Sequence, residues 1–347
     1  MALAYKPYLG CLRNNAYPSE LARRRDDFVY PLDGALDPFE NDWIALLESK
    51  ARRREPGKPQ VVAAPPMLHI RTRSSHTDEV VALAVSAARI MGLNVELARA
   101  GATGHDIGHT PLGHSGERLI AKLTNRPFSH STFGAVIAQH IERKGEGLHL
   151  THQTLACIAH HDDDPASYPP NSPFELDLIW WADKTAFIAA DPNDIERIGF
   201  GDTRTMREMA RALGSNQREI VDNCRLALIK ESAEHGTVSF STSQTAQDFH
   251  AFKDWLYENI YHQIDWSEQE RIMRMAYDYI GEAPFFHGCN PAILLALMSD
   301  PELYRLGELL DKGENPCEDF LAQTDAGEIA PYIRGREIDF IDPDLDW

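Results

Sequence analysis

His76, His105, Asp106, His109, His114 and Glu117 crowd one stretch of the chain, and their types suit one kind of chemistry. Neutral imidazole nitrogens and anionic carboxylate oxygens together bind borderline divalent cations, which polarise oxygen-bearing substrates and acidify water. Gly104, Gly108, Gly113 and Gly116 punctuate the run Gly-His-Asp-Ile-Gly-His-Thr-Pro-Leu-Gly-His-Ser-Gly-Glu, residues 104–117. The backbone can therefore turn tightly and aim several side chains at one point. A catalytic metal keeps three or four protein ligands and an open position. His76, His105 and Asp106 supply three. The best fourth is Asp183, which stands among Ile179, Trp180, Trp181, Ala182, Ala186, Phe187 and Ile188. A carboxylate in so apolar a helix must be paired or metal-bound. Pairing with Lys184, or capping of another helix, is the plainer alternative.

His114 and Glu117 are three residues apart at a helix start and share a face. A carboxylate beside an imidazole raises its basicity and fixes its tautomer, as general acid–base chemistry requires. Glu117 alone would also stabilise the helix N-terminus, and His109 alone would serve as a hydrogen-bond partner. Arg71 and Arg73 flank Thr72 just ahead of His76. In an extended segment both guanidinium forks would face one side, where they match phosphate oxygens, with simple exposure of one of them as the alternative. His160-His161 precedes Asp162, Asp163 and Asp164. It reads as a helix terminus, a pocket wall or a second metal site.

Helices must position these groups. Apolar spacing predicts them over 38–54, 77–91, from an Asn94 cap towards 105, from a Ser115 cap through 123, and over 130–143, 151–162 and 174–190. Further ones are expected at 216–233, 246–262, 267–280, 290–299 and 302–311. Gln60-Val61-Val62 suits a short extended piece, and Thr237–Ser241 is the best strand candidate. The expectation is an all-α fold in one mostly helical domain, with an irregular arm over 1–38 and a helical extension of the same globule over 286–347. Arg23–Arg25 in the arm suits a solvated face or an oligomer or nucleotide contact, and Arg52–Arg54 suits a helix C-terminus.

The chain has 347 residues and a formal charge of −19, which disfavours broad attraction to nucleic acid, single-stranded DNA included, or to an anionic membrane. An anionic ligand needs a local cationic pocket or a metal. Cys11, Cys157, Cys224, Cys289 and Cys317 have no paired spacing and read as free thiols. No apolar run reaches the roughly 18 residues of a membrane span, and no signal-peptide core is present. These features point to a cytoplasmic protein.

The set His76, His105-Asp106 and Asp183 resembles the H…HD…D signature of the HD-domain metal-dependent phosphohydrolases. His69-Ile-Arg-Thr-Arg-Ser-Ser-His76 followed by residues 104–117 is similar to the deoxyguanosine triphosphate triphosphohydrolase branch. Lys58-Pro-Gln-Val61, Asp183-Lys-Thr-Ala-Phe187 with Asp191, Leu256-Tyr-Glu-Asn-Ile-Tyr-His262 and Tyr277-Asp-Tyr-Ile280 extend the likeness over most of 39–280. The resemblance implies a phosphohydrolase domain over 39–285 that cleaves a deoxynucleoside triphosphate into deoxynucleoside and intact triphosphate, water attacking the α-phosphorus. It implies one divalent ion on His76, His105, Asp106 and Asp183, manganese or magnesium first, with iron, cobalt or nickel also suited to the donors. It makes His114 the acid/base supported by Glu117, with His109 lining the pocket. Arg73 and Lys184 would meet phosphate, and Gln60 and Asp191 the sugar. Phe187 stands where the family usually has tyrosine, so its ring can stack under the deoxyribose but gives no phenol. Gly281-Glu-Ala-Pro-Phe-Phe-His287 replaces the family's usual Gly-Met-Thr-Asp, and the tail beyond about 285 has no counterpart. The family precedent is a homo-oligomer, a hexamer. Another HD activity, a 5′-nucleotidase or phosphodiesterase, and a catalytically silent nucleotide sensor are the alternatives.

Overall fold

The computed structural model describes residues 4–61 and 67–347, so Val62 of the expected extended piece lies outside the described residues. The fold is all-α. Its helices are α1 (Pro38–Glu48), α2 (Lys50–Arg54), α3 (Arg73–Met91), α4 (Val95–Gly104), α5 (His114–Thr124), α6 (His130–Val136), α7 (Glu142–Gly145), α8 (His152–His160) and α9 (Phe174–Ile198). There follow α10 (Thr203–Leu213), α11 (Gln217–His235), α12 (Gln244–Asn259), α13 (Ser267–Glu282), α14 (Pro291–Leu297), α15 (Asp300–Asp311), α16 (Glu318–Ala322) and α17 (Asp325–Ile333).

Several boundaries differ from expectation for local reasons. The predicted helix over 38–54 breaks at Ser49, whose extended backbone ends α1 and whose hydroxyl accepts from Arg52 N–H to start α2. Helix α3 begins at Arg73, four residues early, because Thr72 and Ser75 form a reciprocal capping box. Arg73 is thus helical, and its alternation with Arg71 in an extended segment does not occur. Gly113, not Ser115, precedes the first residue of α5. Helix α9 runs on past Pro192, since Ile188–Asp191 and Ile195 are buried and their packing outweighs the lost backbone bond. No strand forms at 237–241. Instead Ser239 N–H donates to the Ser232 hydroxyl at 3.1 Å, and Ser241, with Thr242 and Ser243 just beyond it, donates to the Glu231 carboxylate at 2.6, 2.8 and 3.0 Å, so side chains of α11 take these N–H groups in place of a partner strand.

Two apolar cores share the burial. One joins Val80, Ala84, Leu97, Ile179, Ile229 and Phe249 and holds α3, α4, α9, α11 and α12 together. The other joins Leu46, Leu119, Phe133, Ile158, Met273, Leu294, Ala330 and Phe340, so the C-terminal segment is part of it. Each fully buried aliphatic or aromatic side chain contributes roughly 1.5–3 kcal/mol. The arginine clusters are mostly internal ties. Arg24 bonds Asp42 at 2.8 Å and the Pro38 carbonyl, Arg25 pairs with Asp344, and Arg52 binds Glu55 and Asp78.

Candidate active site

Helices from both cores bring the singled-out residues to one place. His76 lies in the first turn of α3, His105 caps the C-terminal end of α4, and Asp183 sits mid-α9. All are buried, as is Asp106. His76 Nε2 is 2.9 Å from Asp183 Oδ1 and 3.9 Å from Asp106 Oδ2. The tautomer of His105 follows from its surroundings. Its Nδ1 is 2.8 Å from the Ala102 carbonyl, an acceptor only, so Nδ1 carries the proton and Nε2 its lone pair. That Nε2 is wholly buried and has no hydrogen-bond partner among the described residues. It looks towards Asp106 Oδ1 at 3.5 Å and Asp183 Oδ1 at 3.9 Å. A desolvated lone pair facing two carboxylates is unfavourable unless a cation lies between them. The donor set therefore fits a divalent metal ion. His76 Nδ1 is likewise without a partner among the described residues.

The second half of the site hangs on Glu117. Its Oε1 is 3.0 Å from His114 Nδ1, 3.3 Å from His109 Nδ1 and 3.1 Å from His130 Nδ1. These four residues cluster tightly enough to suggest another metal cage, but ring geometry argues against it. His109 and His130 are stacked, with centroids 3.7 Å apart and planes at 13°. Lone pairs lie in the ring plane, so two parallel rings cannot both point at one ion. Glu117 instead holds His130 through that residue's backbone N–H and its Nδ1, while His109 Nδ1, 3.3 Å from Glu117, is buried without a hydrogen-bond partner among the described residues. His161 Nδ1 meets the Ile158 carbonyl at 2.9 Å, which leaves its Nε2 as acceptor for His130 Nε2 at 3.1 Å. His130 thus donates from both nitrogens. Burial opposes that cation, yet the Glu117 carboxylate prevails and raises its pKa to about 8. Burial and the nearby Arg73 guanidinium lower His109 to about 4. His114, with its side chain 53% exposed, is the member that opens to solvent.

His130 carries no spacing that marks it in the sequence. Only the turn's packing reveals it, because a Cβ at Gly108 would come within 2.0 Å of the His130 carbonyl oxygen. Gly108 lets the turn lie flush on α6 and stacks His109 on His130. Of the adjacent histidine pair, His161 joins the cluster, its ring 5.0 Å from that of His105, while His160 turns outward to Asp163.

A cavity of about 580 Å³ opens over both halves. Its walls include Gln60, Arg73, Asp106, His109, His114, Glu117, Asp183, Lys184, Phe187 and Asp191, together with Tyr257, Tyr261 and Trp266. Arg73 Nη1 is 3.1 Å from Asp106 Oδ2, and Lys184 Nζ is 2.5 Å from Asp162 and 3.0 Å from Asp183. Gln60 Oε1 is buried without a partner among the described residues. Phe187 meets Tyr257 and Tyr261 edge-on at 6.3 Å, and the Tyr261 hydroxyl donates to Asp191 at 2.6 Å. Arg71 stands apart. It binds Asp191, Asp194 and Glu79, and is not among the cavity-lining residues.

The HD-domain family model matches residues 73–188, the span from Arg73 to just beyond Asp183. A deoxyguanosinetriphosphate triphosphohydrolase-like protein of Desulfatibacillum aliphaticivorans is 30% identical over 325 residues, covering 89% of this chain and 90% of that protein. This chain belongs to that HD-domain family. A relative of the same name from Caldanaerobacter subterraneus is 32% identical over 64% of this chain and 65% of its own length. One from Deinococcus radiodurans is 38% identical over 46% of each. Membership makes the chain an HD-type hydrolase, and the His/Asp cluster is its candidate metal site. No helix among the described residues is long and apolar enough to cross a membrane.

Proposed function

We propose that this chain hydrolyses a deoxynucleoside triphosphate to deoxynucleoside and triphosphate, with water attacking the α-phosphorus. One observation carries the reading. The unpartnered His105 Nε2 faces Asp106 and Asp183, and these two carboxylates share the wall of a nucleotide-sized cavity with half-exposed His114 and buried Glu117.

His76, His105, Asp106 and Asp183 would hold one divalent ion, manganese or magnesium first among those the donors suit. Such an ion supplies Lewis acidity towards a phosphoryl oxygen and makes water easier to ionise. The remaining work falls to the chain. His114 reaches into the cavity and is held by Glu117, so it can deliver a proton to the 5′ oxygen as that oxygen leaves. His130, donating to Glu117 and His161, keeps positive charge behind the phosphate site. Arg73 and Lys184 offset phosphate charge, which a chain of −19 could not otherwise attract. Gln60 presents a bare amide oxygen to the sugar, and Asp191 presents its carboxylate through Tyr261. Phe187 lies under the deoxyribose, where its ring leaves no room for a 2′-hydroxyl. Arg71 acts indirectly, by fixing Asp191. Residues 39–285 carry the hydrolytic domain and 286–347 extend the same globule.

The test incubates the purified chain with each deoxynucleoside triphosphate, singly and mixed, with manganese or magnesium, and resolves products by ion exchange. Deoxynucleoside with intact triphosphate is expected. Release of phosphate or pyrophosphate would sink this reaction in favour of a nucleotidase or phosphodiesterase, and binding without turnover would favour a sensor.

A further inference from the structure

The turn that delivers His114 is held from behind by the C-terminal segment, and we propose that Asp300, with Lys58, is a positioning residue for catalysis. The effect on turnover rests on the hydrolase reading above; the clamp itself does not.

The turn needs holding. Leu112 has φ 64°, a left-handed conformation disfavoured for any residue with a Cβ. Gly113 follows at φ 55°, ψ −134°, a region open to glycine alone, and a Cβ there would come within 3.0 Å of Arg73 Nη2. Such a backbone persists only where its surroundings over-determine it. Part of the hold is local, since the Thr110 hydroxyl lies 2.9 Å from the Gly113 carbonyl. The rest comes from far along the chain. Leu112 N–H donates to Asp300 Oδ1, in the first turn of α15, at 3.1 Å. Lys58 Nζ donates to the His109 carbonyl and, at 3.3 Å, to the Ala296 carbonyl of α14. Both ends of the turn are therefore tied to the segment beyond residue 286.

These ties are poor choices for stability alone. Asp300 is 2% exposed and Lys58 3%, and Asp300 Oδ2 has no hydrogen-bond partner among the described residues. Burial raises Asp300 to about 7 and lowers Lys58 to about 7. Apolar residues of the same volume would be cheaper to bury. Neither side chain lines the cavity, so neither touches substrate. What they fix is the backbone that aims His114.

The test compares the full chain with Asp300→Ala, Asp300→Asn and Lys58→Met. Amide hydrogen exchange is followed over 110–118 and 76–91, and steady-state kinetics on the best triphosphate substrate are run alongside. In Asp300→Ala, exchange over 110–114 should accelerate at least roughly tenfold while 76–91 keeps its protection. Its kcat should fall about 10- to 100-fold, as a misplacement near 1 Å would produce, with KM within about twofold. Asparagine still accepts from Leu112 N–H, so Asp300→Asn should return both readouts towards wild type. Lys58→Met should repeat the Asp300→Ala pattern, and decides the matter if Asp300→Ala does not fold. Unchanged exchange at 110–114 in both variants, or equal loss of protection throughout, overturns the clamp. Asparagine no better than alanine also overturns it. A wild type without triphosphate turnover would overturn the hydrolase reading instead, and the exchange comparison would still judge the clamp.

Discussion

The two halves of the site are built in opposite ways. The candidate metal half arrives on α3, α4, α9 and the turn after α4 that carries Asp106, with every donor buried and His105 Nε2 left without a partner among the described residues. The acid–base half arrives on a strained turn and two helix starts, and Glu117 gathers three imidazoles around one oxygen. An unpartnered atom where donors converge is a place prepared for something to bind. A carboxylate already bonded to His130 is a place suited to holding a proton, with His109 Nδ1 beside it left without a partner among the described residues. The first demands rigidity; the second needs one member, His114, free to reach substrate.

Removing a metal-half donor should have the largest effect. His105→Ala or Asp106→Ala is expected to abolish bound metal, measured by elemental analysis, and to bring triphosphate hydrolysis to background. His114→Ala tests the other half. It should keep its metal and its nucleotide affinity while kcat falls about 10²–10⁴-fold, the usual worth of a general acid. If it lost metal in proportion to activity, the two halves would not be separable. Glu117→Gln should cost less turnover than His114→Ala, since His114 survives. It should, however, lower the melting temperature, because a buried His130 cation without its carboxylate costs about 3–5 kcal/mol. A Glu117→Gln variant as stable as wild type would show that His130 is not held as a cation.

The candidate metal half was legible in the sequence because the donors the fold brings together sit in compact His/Asp motifs on or beside apolar-rich helices. His76, His105, Asp106 and Asp183 could each be picked by type and neighbours. The acid–base half was half legible. His114 and Glu117 are three residues apart, whereas His130 reaches them only through the flush contact at Gly108. That contact is tertiary and leaves no periodic trace. The pairing of Arg71 leaves no local trace for a similar reason: its carboxylates Asp191 and Asp194 lie more than a hundred residues away. Helices α10, α16 and α17 lie outside the predicted elements, and no strand forms at 237–241, where Ser232 and Glu231 of α11 take the N–H groups of Ser239 and Ser241.

The sharpest control on this comparison lies outside the site. Glu175 Oε2 is also buried without a partner among the described residues, while Oε1 accepts N–H from Asn94 at 2.6 Å and Tyr17 at 3.1 Å. No second carboxylate or imidazole converges on it in a metal-like group. It should therefore behave as a plain liability. Burial raises its pKa from 4.5 to about 7. Between those values the folded chain keeps a proton that the unfolded chain releases, so stability falls as pH rises from 4.5 to 7 and levels off above. Glu175→Gln keeps an acceptor and removes the titration. Relative to wild type, the variant should gain up to about 3 kcal/mol between pH 4.5 and 8, read from urea unfolding at several pH values, with hydrolysis unchanged. A stability difference independent of pH would mean that Glu175 ionises freely in the fold. Burial without a partner would then be weaker grounds for expecting a cation at His105 as well.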